Sequence, residues 1–454
     1  MDKHYHLVGI GGIGMSGIAQ LLLRSGCKVS GSDLKENKIT DQLKTQGARI
    51  FIGHNPKNIE GAGAVVYSTA IKEDNPEIRE ARSKGIPLVR RAEALAELMR
   101  DKTVITVSGS HGKTTTTSLV SCLLFEAGLM PTVAIGGVLR NIGSNAKWGE
   151  GKFFVAEADE SDGSFLCYRP KYSIITNIDR EHLDYYKEFD KEVQAFRDFL
   201  AQTSTDGCVF CCADDPNLKK ITLDYKNKRV FFGLNKGADI YAKNILANGL
   251  NSEFDCFVRD KFIGRFSLIL AGRHNISNAL SVIALGLELG IDTEVIKKAL
   301  AGCKGARRRM EIKFNREEFL VIDDYAHHPT EISATLEAVK GLGKKRVVAI
   351  FQPHRYSRTK LLKEEFGRCF KDTDYVVITD IYAASESPLE GVTSLVICEE
   401  IKKNFPTKEV RYLPKSEILT GMNKILRAGD VVITLGAGDI TKISDELAEG
   451  LDKK

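Results

Sequence analysis

The chain has 454 residues, more than a single hydrophobic core usually serves, so two or three domains are expected. With 43% hydrophobic and 28% charged residues it has the composition of an ordinary globular protein, which excludes fibrous and disordered classes. The balance of 65 basic against 60 acidic side chains leaves a formal charge of +5, too even to call for a nucleic-acid partner, so a local anionic substrate is the expectation.

Met1 to His4 lead directly into a strand-like stretch, and no window approaches the roughly 18 apolar residues of a membrane helix, so membrane insertion is not expected and a cytoplasmic protein is. His6 to Ile10 reads as a short buried strand, followed by glycines, the apolar-periodic helix Met15 to Arg24 and a second strand, Lys28 to Ser32. Strand-like Val65 to Ser68 and helix-like Glu77 to Lys84 continue the alternation, closing a Rossmann-like domain over residues 1–100.

Between the first strand and its helix, Gly9-Ile-Gly11-Gly12-Ile13-Gly14 satisfies G-x-G-x-x-G, and Asp33 ends the next strand about 20 residues on. This spacing fits a nicotinamide dinucleotide. It fits a UDP-sugar equally, because glycines at a helix N-terminus accept any pyrophosphate and the acid can take any ribose diol.

A new α/β pattern opens at residue 101 and runs to 309. Strand Thr103 to Val107 meets Gly109-Ser110-His111-Gly112 and then a helix from Thr114 to Ala127, so backbone N–H groups and the helix dipole converge on one point. Lys113 can reach the outer phosphates of ATP and the Thr114 hydroxyl can sit on Mg²⁺, as in a P-loop, although Val107 stands where the strict pattern has glycine. The following strand, Phe153 to Ala156, delivers Glu157, Asp159, Glu160 and Asp162 at the sheet's carboxyl edge, with Glu157 the best Mg²⁺ candidate. A further strand, Ser173 to Thr176, leads into Asn177, Asp179, Glu181 and His182. Later come β-rich residues from Val230 to Leu270 and a helix from Asn275 to Leu289. Cys208, Cys211 and Cys212 lack a second zinc-type pair and read as buried, reduced thiols.

Residues 310–454 hold four apolar strand candidates, Phe319 to Asp323, Arg346 to Phe351, Tyr375 to Thr379 and Val431 to Leu435, with helices between them, the pattern of a parallel sheet. Leu451 to Lys454 are expected to fray. Arg307 to Arg309, Asp323, Asp324, His327 and His328 cluster around the first of these strands, and Arg355 and Arg358 follow the second, suited to an incoming carboxylate.

The runs Ser-Gly-Ser-His-Gly-Lys-Thr-Thr, Glu-Ala-Asp-Glu-Ser-Asp, Asn-Ile-Asp-Arg-Glu-His-Leu-Asp and Gly-Arg-His-Asn-Ile-Ser-Asn, in order along the chain, together resemble the Mur ligase family. The resemblance implies three α/β domains: a Rossmann-like N-terminal one, a P-loop ATPase-type central one and a Rossmann-like C-terminal one. It implies that Gly109, Ser110, His111, Gly112, Lys113, Thr114 and Thr115 hold ATP, with His274, Asn275, Arg309 and Asp324 on its base, phosphate and ribose, and that Thr114, Glu157 and His182 hold Mg²⁺. It places Gly11, Gly12, Ile13, Gly14, Asp33, His54, Ser68 and Thr69 on a UDP-sugar, and Tyr325, His327, Arg355 and Arg358 on an amino acid.

Asp179 and Glu181 stand where the family more often has Glu and Asp. Within the family, Gly-Ile-Gly-Gly-Ile-Gly-Met-Ser, Asp-Asp-Tyr-Ala-His-His-Pro-Thr-Glu and Gln-Pro-His-Arg-Tyr-Ser-Arg-Thr most resemble the alanine-adding members. That implies UDP-N-acetylmuramate and L-alanine as substrates, Lys113, Glu157, His182, Arg309 and His327 as the working groups, and a monomer or homodimer. The competing expectations are a tripeptide-recycling relative, a nicotinamide-dependent dehydrogenase and an NTP-driven switch.

Overall fold

The computed structural model describes residues 3–316, 318–343 and 346–452; of the tail expected to fray, Leu451 and Asp452 close the last helix, Thr441–Asp452, and Lys453 and Lys454 lie outside the described residues. The chain divides into two compact units, 1–243 with 255–266 and 277–305, and 244–254 with 267–276 and 306–454.

The first unit begins with β1 (His4–Val8), α1 (Ile13–Arg24), β2 (Lys28–Asp33), α2 (Lys38–Thr45), β3 (Arg49–Ile52), β4 (Ala64–Tyr67), α3 (Pro76–Ser83), β5 (Leu88–Arg90) and α4 (Arg91–Met99). The strands form a parallel sheet in the order β3-β2-β1-β4-β5, so the chain reverses its direction of winding between β1 and β4. In such sheets ligands bind outside the strand carboxyl ends near that switch point. β1 starts two residues earlier than the hydrophobic run suggests, because His4 and Tyr5 pair with Lys28 and Val29, and it stops at Val8 because Gly9 turns with φ +75°. α1 begins at Ile13, where extended Gly12 caps it.

The second sheet contains β6 (Thr103–Ser108), β7 (Thr132–Leu139), β8 (Ser144–Lys147), β9 (Phe153–Glu157), β10 (Tyr172–Ile175), β11 (Cys208–Cys212), β12 (Arg229–Gly233), β13 (Ile240–Asn248), β14 (Asn251–Val258) and β15 (Lys261–Leu268). Their order is β15-β14-β13-β12-β11-β10-β6-β9-β7-β8. Cys208, Cys211 and Cys212 are buried thiols on β11.

Helix α5 (Lys113–Glu126) leaves β6 and is buried continuously from Thr114 to Leu124. Its threonines and serines are poor helix formers, but here their hydroxyls turn back on the preceding turn: Thr117 donates to Lys113 O, Ser118 to Thr114 O and Ser121 to Thr117 O, at 2.7–2.8 Å. Short polar side chains therefore let the helix sit deep without orphaned hydroxyls at these three positions. The antiparallel β7–β8 hairpin, not foreseen from sequence, docks on α1: Ser144 donates to Gln20 at 3.0 Å, and the Asn145 amide reaches the Ile13 carbonyl.

The second unit contains β16 (Glu311–Asn315), β17 (Phe319–Asp324), β18 (Arg346–Phe351), β19 (Tyr375–Ile378), β20 (Glu409–Tyr412) and β21 (Asp430–Leu435), ordered β16-β17-β21-β18-β19-β20. The four apolar candidates are the central, mutually parallel strands β17, β21, β18 and β19. Beyond these four, β20 adds a further parallel strand at one edge and β16 an antiparallel one at the other. Both edges carry mixed polar sequences, EIKFN and EVRY, because only part of each edge strand is covered. Successive residues of the central strands feed two cores, Ile322, Ala349 and Ile433 on one face, Val321, Val348 and Val432 on the other. Among the described residues no helix is long and apolar enough to cross a membrane.

Candidate active site

The carboxyl ends of β6, β9 and β10 meet at the loop before α5. Ser110 N donates to Asn177 O at 3.1 Å, His111 N to the Asn177 side chain at 2.8 Å, and Ser110 Oγ accepts from Asp179 N at 2.8 Å. The segment after β10 thus fixes the loop's shape. His111 Nε2 lies 2.9 Å from Asp179 Oδ2. Gly109 and Gly112 adopt φ +123° and +85°, and a Cβ on Gly112 would stand 2.8 Å from Asn278 Oδ1. Val107 is buried within the sheet, paired beside Ile174 and Glu157. The turn starts after Ser108, so this loop needs no glycine at 107.

Lys113, Thr114, Glu157 and His182, singled out from the sequence, come together here. Thr114 Oγ1 donates to Glu157 Oε1 at 3.1 Å, while Gly136 N donates to Glu157 Oε2 at 2.8 Å. Lys113 Nζ donates to Gly109 O and Ser110 O at 2.7 and 3.2 Å and pairs with Glu160 Oε1 at 2.7 Å. His182, with φ +53°, holds Nε2 3.5 Å from the same Glu160 oxygen and 3.7 Å from Glu181. Burial works against the Lys113 ammonium, but Glu160, Asp159 and Glu157 outweigh it and raise its pKa. His182 is likewise raised, burial being outweighed by Glu160 and Glu181.

Glu160, which the sequence offered only as one acid of four, is the hub. It has no exposed surface, and its Oε2 has no hydrogen-bond partner among the described residues. A buried carboxylate oxygen left open, with His182 Nε2 3.5 Å from the other oxygen of the same group, is the hard-oxygen type of donor that a divalent cation such as Mg²⁺ takes. The loop's amides and Lys113 fit nucleotide phosphates. Glu192 was also missed. It lies on the inner face of helix Phe189–Ala201 with Phe196 and Phe199, and both its oxygens lack partners among the described residues. Burial, Glu160 and Glu181 push its pKa up to about 9. An acid among apolar residues at helical spacing was the available signal.

In the first sheet, Asp33 Oδ2 accepts from Gly11 N at 2.9 Å and Oδ1 from Leu34 N at 2.8 Å, so this acid braces the glycine turn. Ser68 and Thr69 follow β4, across the switch point from that turn. His54 follows β3, and its Nδ1 lies 3.0 Å from Ser32 Oγ and 3.3 Å from Glu77 Oε2. Ser32 donates to Glu77 at 2.6 Å, so it accepts from His54 and the ring carries its proton on Nδ1. Burial would raise the Glu77 pKa, but His6, Ser32 and Asn58 outweigh it and lower the value to about 2.

In the second unit, Asp324 accepts from Met310 N and Ala326 N at 2.7 and 2.8 Å, engaging both of the oxygens expected to meet a ribose. Burial, partly offset by Arg309, raises its pKa to about 6. Arg308 and Arg309 lie over the Tyr325 ring, at 5.0 and 5.1 Å. Tyr325, His327, His354 and Tyr382 then form a chain of ring contacts at 5.4–5.6 Å. His327 Nδ1 is 3.3 Å from Glu331, and Arg358 Nη1 donates to His354 Nδ1 at 3.2 Å. Burial and the neighbouring His327 and arginines lower the His354 pKa to about 3, which leaves the ring neutral and able to accept. Arg355 caps the next helix with φ +71°, one turn before Thr359. His274 is also kept neutral, its pKa lowered to about 4 by burial and by Arg309, while the Asn275 amide donates to Ala271 O at 2.7 Å.

Family models match almost end to end: "Mur ligase family, catalytic domain" over residues 4–103, "Mur ligase middle domain" over 107–286 and "Mur ligase, glutamate ligase domain" over 308–438. The chain belongs to the Mur ligase family. Among its relatives, the UDP-N-acetylmuramate–L-alanine ligase of Desulfatibacillum aliphaticivorans is 48% identical over 97% of both chains. The crystal structure of the UDP-N-acetylmuramate–alanine ligase of Thermotoga maritima superposes with a TM-score of 0.84 at 31% identity, covering 99% of each chain. A murein peptide ligase from Psychrobacter arcticus shares the fold at 24% identity and a TM-score of 0.72. The loop before α5 with Lys113 and the glycine turn before α1 both lie in the first unit.

Proposed function

We propose that this Mur ligase joins L-alanine to the lactyl carboxylate of UDP-N-acetylmuramate, with ATP converted to ADP and phosphate through an acyl phosphate, in the cytoplasm. The observation that carries the reading is the Lys113–Glu160 centre, which shares one unit with a G-x-G-x-x-G turn, in a chain 48% identical to an alanine-adding ligase.

Gly109 to Thr115 cradle the triphosphate, and Lys113 leaves the loop carbonyls to meet its outer oxygens. Thr114, Glu157, Glu160 and His182 are the groups that would hold Mg²⁺, which when bound supplies neutralising charge between phosphate and carboxylate. Gly11 to Gly14 hold the UDP diphosphate, with Asp33, His54, Ser68 and Thr69 on the rest of that substrate. Arg309 takes phosphate charge, Asp324 the ribose, and His274 and Asn275 the base. Tyr325, His327, Arg355 and Arg358 orient alanine, whose amine attacks the activated carbonyl. Positioning and charge stabilisation account for the rate, as expected for phosphoryl transfer.

The test is phosphate release from ATP that requires both UDP-N-acetylmuramate and an amino acid. No release above background with alanine, glycine or serine sinks the proposal. Release with the L-alanyl-D-glutamyl-diaminopimelate tripeptide in place of alanine gives the recycling activity instead, and an absorbance change at the nicotinamide band gives a dehydrogenase.

A further inference from the structure

Arg91 opens α4 and lies between two elements that the proposed function assigns to different ends of one substrate. Its Nη1 fills the space that a Cβ on Gly14 would occupy, with Cδ and Cζ 3.4 and 3.5 Å from that point. Its Nη2 donates to Asp159 Oδ2 at 3.4 Å, in the acidic run after β9. That long contact is its one hydrogen bond among the described residues, although a guanidinium has five N–H donors. An arginine placed only to pair with Asp159 would use its fork for two short bonds. The third glycine of a dinucleotide turn ordinarily lets helix and strand approach closely. Here the vacant Cβ position admits a cation instead.

From this placement, and resting on the proposed function, we infer that Arg91 is a substrate-binding residue that holds a pyrophosphate oxygen of the UDP-linked substrate at the Gly11–Gly14 turn. Asp159 steers the guanidinium and keeps its charge next to the glycines. It lies two residues from Glu157 and one from Glu160, so the pair ties the guanidinium to the acidic run after β9.

The experiment is calorimetric titration of wild type, Arg91→Gln and Arg91→Lys with UDP-N-acetylmuramate, UDP-N-acetylglucosamine and ATP. UDP-N-acetylglucosamine carries the same diphosphate without the lactyl carboxylate. Arg91→Gln is expected to weaken both UDP-sugars by about tenfold or more, with Arg91→Lys in between and ATP unchanged. A loss confined to UDP-N-acetylmuramate moves Arg91 to the carboxylate and overturns the inference, as does no loss for either UDP-sugar or an equal loss for ATP. If Arg91→Gln does not fold, Gly14→Ala, which displaces the guanidinium without removing it, must weaken both UDP-sugars. A wild type that binds UDP-sugars but releases no alanine-dependent phosphate defeats the functional proposal and leaves this inference standing.

Discussion

Lys113 and Glu160 form a 2.7 Å ion pair in which the carboxylate has no exposed surface and the ammonium very little. Removing one partner of such a pair strands the other charge, which typically costs about 3–5 kcal/mol. Glu160→Gln should lower the urea-denaturation stability by roughly that amount and reduce kcat by about 100-fold or more. An unchanged kcat would remove Glu160 from the phosphate and metal centre.

Lys113→Ala should abolish ATP-dependent phosphate release while UDP-N-acetylmuramate still binds, because the glycine turn before α1 is a separate element. Loss of both, in parallel calorimetric and phosphate assays, would show that the two nucleotides do not occupy separate sites.

Gly112→Ala meets two obstacles, a left-handed backbone and the Asn278 amide at 2.8 Å. Gly128 has φ +70° but open space around it. Both alanine variants should lose about 1 kcal/mol from backbone strain alone. Only Gly112→Ala should also raise the KM for ATP, measured at saturating UDP-sugar and alanine.

Glu77 supplies a pH test. Its pKa falls from 4.5 unfolded to about 2 folded, so its contribution is present above about pH 4.5 and is lost as pH drops toward 2. That contribution is roughly 3 kcal/mol at neutral pH. Glu77→Gln should flatten the stability–pH curve between 4.5 and 2, followed by circular dichroism. A wild-type slope retained in the variant would assign acid unfolding to other carboxylates.

Arg358→Ala should raise the KM for L-alanine by about tenfold or more and leave the KM for ATP near wild type. Equal changes in both would separate Arg358 from the amino acid.

Much of the fold and of the site is legible in the sequence. The central strands announce themselves because a parallel sheet buries both faces and leaves continuous apolar runs, as at Val347 to Phe351 and Val431 to Leu435. Edge strands such as Glu409–Tyr412, where only Val410 is buried, escape because most of their residues face water. The phosphate loop was visible because glycine, lysine and threonine are each required by its geometry. Glu160 was not separable from Glu157, Asp159 and Asp162 by sequence, since only the turn after β9 decides which acid points inward. Glu77 and Glu192 stayed hidden for a related reason: a buried acid is distinguished by its surroundings, and those come from distant parts of the chain.

The docking of α1 on the β7–β8 hairpin has a consequence for substrate choice. Asn145 grips the first turn of α1 at Ile13, and β7 runs beside β9, whose end carries Glu157. The glycine turn before α1 and the Glu157 end of β9 are therefore mounted on one continuous scaffold. Under the proposed function, a UDP-sugar whose acyl group falls short of Glu157 would bind at the turn without being ligated, so reach would act in selection alongside chemistry.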